Sequence, residues 1–241
     1  MRKTVRKLFR GIGGAAGLAA LLLTGCSLLP HPVTFTKYEP GNIYRKSDLL
    51  PPNVKRLAVL PLTVSDSTTL LENGAEILQP ALYTELEKTK RFEVIVVSPE
   101  QLRQWTGQAR WKSAEPLPAD FFARLRQNLG NDAVMFCELT SYQPYPPIAI
   151  GWKLTLVTTS DFRNANSSAP EKNSGENPEI LWSADEVFNA GNPEVANAAQ
   201  TYTEWNHRNE APIADSSSIF SSPFRFGQYT LNALFQTLPA R

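Results

Sequence analysis

Few residues of this 241-residue chain have the chemistry for catalysis or ligation: two cysteines, Cys26 and Cys137, and two histidines, His31 and His207. A thiol acts as nucleophile or ligand only as the thiolate, which needs a cation or a base beside it. Cys137 ends the run Ala133-Val134-Met135-Phe136-Cys137, a continuous apolar stretch of the kind found in a buried strand, and reads as a small core hydrophobe. Cys26 follows Leu22-Leu23-Thr24-Gly25 directly, at the end of an apolar run, and reads as a lipid-attachment site. Among the carboxylates, Asp185 and Glu186 are adjacent and so fall on opposite faces of any strand. Asp132 and Glu138 read as a turn residue and a strand-end charge. The chain has no Gly-rich phosphate loop, Cys/His metal spacing or Ser/Cys nucleophile motif, and Gly11-Ile12-Gly13-Gly14 lies in the amino-terminal apolar segment. With no convergent titratable groups, no catalytic, cofactor or metal site is expected, and the protein is expected not to be an enzyme.

One segment could grip another molecule. Tyr142 to Trp152 places Pro144, Pro146 and Pro147 among the rings of Tyr142, Tyr145 and Trp152, between two strand patterns. Those three aromatics are either a rigid surface for a protein partner or the trim of a proline-stiffened sheet corner that caps the core.

The elements around Cys26 explain its position. Arg2, Lys3, Arg6, Lys7 and Arg10 form a positive region without an acid, and Gly11 to Leu23 form a short apolar region. This is the layout of a secretory signal, and it is shorter than the ~20 residues of a membrane span. The Leu23-Thr24-Gly25-Cys26 ending resembles the lipobox of bacterial lipoproteins. The resemblance implies that residues 1–25 are a signal peptide, that the Cys26 thiol receives a diacylglycerol, and that cleavage leaves Cys26 as an acylated first residue. Ser27 stands where such lipoproteins carry Asp for inner-membrane retention, which implies the outer membrane. Losing the five positive charges of residues 1–25 takes the formal +1 to about −4, which gives the mature chain no electrostatic case for nucleic acid. With Cys26 acylated, Cys137 has no disulfide partner.

Residues 26–53 carry Pro30, Pro32, Pro40, Pro51 and Pro52 without periodicity and read as a tether, although Phe35, Tyr38, Ile43, Tyr44, Leu49 and Leu50 make it apolar enough for part of it to lie against the domain or a partner. Residues 54–241 read as one α/β domain. Apolar strands are predicted at 56–62, 92–97 and 133–140, separated by helices at 74–90, from Pro99 toward Trp105, and at 120–129. Pro80 either kinks the first helix or marks its true first turn. Period-two alternation then predicts a hairpin of residues 148–156 and 180–188, joined across a solvated loop, 163–179, without a large apolar side chain. Helices are expected from Pro193 and from Pro223. The sum is a mixed sheet, a parallel β-α-β-α-β core plus an antiparallel hairpin, covered by helices.

The strings Lys55-Arg-Leu-Ala-Val-Leu-Pro-Leu62, Arg91-Phe-Glu-Val-Ile95 and Gly130-Asn-Asp-Ala-Val-Met-Phe-Cys-Glu-Leu-Thr-Ser-Tyr142 resemble an envelope-protein group. That group comprises the TolB amino-terminal region, the curli-secretion lipoprotein CsgG and the lipoproteins that activate penicillin-binding proteins. The likeness covers residues 55 to 190, with Leu62 in place of the usual Phe and Asn131 in place of the usual Ala. It implies a scaffolding, secretion or activator role at the periplasmic face of the outer membrane, with contact to the membrane through the lipid and an envelope protein as partner. A secretion-pore subunit and a small-molecule or glycan-binding sensor are the alternatives.

Overall fold

Alternation in the second half of the chain and unbroken apolar runs in the first build a single sheet. The computed structural model describes residues 37–158, 178–206 and 216–241. Residues 1–25, Cys26, His31, His207 and all but the last two positions of the expected loop 163–179 lie outside the described residues.

The strands are β1 (Ile43–Arg45), β2 (Arg56–Val59), β3 (Thr63–Val64), β4 (Glu93–Val96), β5 (Ala133–Gln143), β6 (Ala149–Thr158) and β7 (Glu179–Asn189). Their order is β1-β7-β6-β5-β2-β4, with β3 paired to β5. Strands β2, β4 and β5 run parallel, and β5, β6, β7 and β1 are antiparallel, so the mixed α/β sheet is observed. The helices are α1 (Thr69–Lys88), α2 (Pro99–Thr106), α3 (Phe121–Leu129), α4 (Pro193–Asn206) and α5 (Pro223–Gln236).

The first helix begins five residues before the expected Gly74. Thr68 caps it by accepting from the Leu71 amide, and Pro80 sits inside it rather than at its start. The second helix has the full capping box, with Ser98 and Gln101 bonding each other's backbone amides. The strand expected over 56–62 is interrupted at Pro61 and resumes as β3. β5 continues to Gln143 through an irregularity between Leu139 and Ser141. Gly151 faces that irregularity, where a Cβ would meet Thr140 Oγ1.

Within the stretch expected as tether, Ile43–Arg45 pairs with β7, Leu50 is buried, and the Leu50 amide donates to the Ala240 carbonyl. Glu186 secures this segment: Oε1 accepts from the Tyr38 hydroxyl at 3.1 Å and Oε2 from the Gly41 and Asn42 amides at 2.8 and 3.3 Å.

Pleating divides the core in two. On one face Met135, Cys137, Ile150, Trp152, Leu154, Leu156, Trp182 and Phe188 pack under α1, α4 and α5. There α5 approaches α1 so closely that a Cβ on Gly227 would collide with Leu78. On the other face Ala58, Val134 and Phe136 pack with Leu102, Trp111, Phe121 and Leu125 of α2, α3 and the loop between them.

Candidate functional site

That second cover stops at β5 and the edge of β6, and the remaining half of the face is open. Register brings three charges into one row across it: Glu138 of β5 lies opposite Lys153 of β6, which lies opposite Asp185 of β7. Glu138 is a mid-strand residue, not the strand-end charge its sequence context suggested, and it pairs with Lys112 at 3.3 Å. Lys112 also donates to the Ser65 carbonyl at 2.8 Å. Neither Lys153 nor Asp185 has an ion-pair partner among the described residues. The next row is uncharged, with Thr155 opposite Ser183 and the Ser113 and Thr155 hydroxyls 3.4 Å apart.

Between these rows and the loop leading into α3 runs a cleft of about 540 Å³, walled on its apolar side by Leu117, Phe122 and Ile180. Tyr44 of β1 and Ile180 and Val187 of β7 stand exposed on the same face. The open face is therefore an ionic and hydroxyl strip bordered by apolar side chains. It has means to orient a bound group but no activated nucleophile. Among the described residues no three His, Cys, Asp or Glu side chains gather as a metal-binding group.

The three aromatics nominated from sequence are not brought together as one surface. Trp152 is 0% exposed, under α5, with its indole N–H donating to Thr230 Oγ1 at 2.9 Å. Tyr142 is 7% exposed, its ring lying where a Cβ on Gly74 would be. Burial, and secondarily the Tyr145 phenol, raises the Tyr142 pKa. Tyr145 alone is presented to solvent, at 76%. Cys137 is buried and its thiol is pushed well above its ordinary range by desolvation, which keeps it protonated and unreactive. Asp185 and Glu186 do lie on opposite faces, Asp185 in the open row and Glu186 holding Tyr38.

Sequence reasoning missed the open face. The signal was present in the polar alternate positions of the hairpin, Lys153 and Thr155 against Ser183 and Asp185, but the cleft's other wall comes from a loop more than thirty residues away in sequence.

Fold and cleft together define an α/β domain with one helix-covered sheet face and one half-open face. No protein-family model matches the chain, and no curated protein matches it. Similar solved structures include the PelC dodecamer from Paraburkholderia phytofirmans, at 10% identity over 83% of this chain and 99% of that one, with a TM-score of 0.39. Lipoprotein GNA1162 from Neisseria meningitidis is similar at 16% identity over 66% and 99%, with a TM-score of 0.36. The LpoB C-terminal domain from Salmonella enterica is similar at 15% identity over 56% and 82%, with a TM-score of 0.30.

Proposed function

We propose that this chain is a lipid-anchored, non-enzymatic interaction or assembly component of the bacterial cell envelope. It is held through Cys26 at the periplasmic face of the outer membrane and binds an envelope protein on the open half of its sheet. The observation that carries the binding reading is the unequal cover of the two sheet faces. One is sealed by three helices, while the other leaves the Glu138, Lys153, Asp185 row beside exposed Tyr44, Ile180 and Val187. Apolar contacts edged by polar and charged groups are the composition of a protein interface. The anchor supplies location and the face supplies specificity.

The pore alternative draws less support. A lipid-facing hairpin needs an outward apolar row, whereas Ile150, Trp152, Leu154 and Leu156 of β6 are buried under α1 and α5. The sensor alternative has one observation in its favour: the cleft has the volume and mixed lining of small-ligand sites, which run ~300–1,000 Å³.

Val187→Arg and Lys153→Glu test the proposal. Both sites are at the surface of a folded sheet, so the variants should melt with the wild type while recovery of the partner after envelope crosslinking is lost. Undiminished recovery from both variants would reject the open face as the binding surface.

A further inference from the structure

Strand direction gathers several chain landmarks at one end of the domain. β5 runs toward the corner at Tyr145 and β7 ends beside it, with Asn189 opposite Ala149. The segment before β1 runs antiparallel to β7, so Tyr38 lies at that same end, its ring 5.4 Å from Phe188. The chain toward Cys26 therefore leaves the domain at the Tyr145 end. Helices α1 and α5 also start there: Gly74 abuts the Tyr142 ring, and Gly227 lies near Leu78 and Ile150. One turn earlier on each helix, Leu70 and Phe224 are 49% and 37% exposed. Tyr145 projects from its corner between Pro144, Pro146 and Pro147.

We infer that this end of the domain, through Tyr145, Leu70 and Phe224, rests on the lipid surface to which Cys26 is attached. The inference depends on the lipid-anchor reading and gives the nominated Tyr145 an occupant, a bilayer interface, in place of a protein.

Chain length supports it. Ten residues lie between Cys26 and Lys37, so the two are no more than ~40 Å apart along the chain. Tethering at such range supplies an effective concentration in the millimolar range, so three weak interfacial side chains suffice without a strong membrane-binding site. A tyrosine with an apolar ring and a hydroxyl suits the headgroup level, and Leu and Phe supply the apolar contact. Charge selects the lipid. Exposed Glu39, Asp66, Glu72 and Glu194 stand at this end against Lys37 and Arg225, a balance that offers anionic headgroups no basic cluster and fits a zwitterionic surface.

The test uses the full acylated protein reconstituted in phosphatidylcholine vesicles, with a nitroxide at Tyr145→Cys or, at the opposite end, at Leu49→Cys. Cys137 is buried and Cys26 acylated, so the introduced thiol takes the label. The expected result is a several-fold higher oxygen-to-nickel-chelate accessibility ratio at 145 than at 49. Equal, water-like ratios at both positions in protein that floats with the vesicles overturn the inference while leaving the anchor intact. Protein that does not float, with an unmodified Cys26 by mass, overturns the anchor and the inference with it.

Discussion

The Trp152 indole donates to the Thr230 hydroxyl across the sealed face of the sheet, and the Thr230 hydroxyl in turn donates to the Gly227 carbonyl at 2.8 Å. The pair fixes β6 to α5 at the point where Gly227 lets α5 close on α1. Removing the ring leaves a cavity and takes from the Thr230 hydroxyl its buried donor. Trp152→Ala should cost ~3–5 kcal/mol, which in a domain of this size lowers the melting temperature by on the order of 10 °C. Tyr145→Ala, at an exposed corner, should stay within ~0.5 kcal/mol of wild type. Thermal melts of the two variants check the division of the aromatic corner into core and surface.

Cys26→Ala should leave an uncleaved or mislocalised precursor, since the thiol is the acceptor that precedes cleavage in the lipobox reading. Gel mobility and membrane fractionation read the outcome. A variant of normal mature size in the membrane fraction would contradict the anchor.

Thr158 and Glu179 are register partners at the open end of the β6-β7 hairpin. The described residues on either side of the connection thus already stand side by side. Replacing residues 163–177 with a short Gly/Ser turn should hold the melting temperature within a few degrees, because closure entropy changes slowly with loop length. Loss of soluble, cooperatively melting protein would show that the stretch is structural.

Alkaline pH should destabilise the domain in steps. Burial pushes the Cys137 thiol above its ordinary value near 9, pushes Tyr83 up to about 12, and raises Tyr202 and Tyr229. Groups whose folded pKa is raised contribute fully below the unfolded value, and their contribution is lost as pH climbs above it. Stability should therefore be flat in these groups below about pH 8.5, fall first as unfolded Cys137 ionises, and fall more steeply above pH 10. Urea midpoints from pH 7 to 11, with tyrosinate absorbance, check the sequence of events. Cys137→Ala should remove the first step alone.

Much of the architecture was legible because its signals are local. Apolar runs at Arg56, Phe92 and Ala133, the capping box at Ser98 and the alternation around Trp152 each announce an element within a few residues. What escaped depends on distant partners. The three residues of β1 make a strand only because β7 offers an edge and Glu186 takes the amides of Gly41 and Asn42. Trp152 and Tyr145 look equivalent in sequence, and only the placement of α5 buries one. The polar positions of the open row could be read from the hairpin, while the cleft required the loop before α3 to arrive beside them.

The open face is tested most directly by placing a photocrosslinking phenylalanine analogue at single positions in cells. At Val187 and Ile180 the account predicts one discrete crosslinked protein, lost when Lys153 is changed to Glu, and no such product at exposed Ile77 on α1 behind the sheet. A product at Ile77 with none at Val187 or Ile180 would place the partner on the helical side and contradict the account.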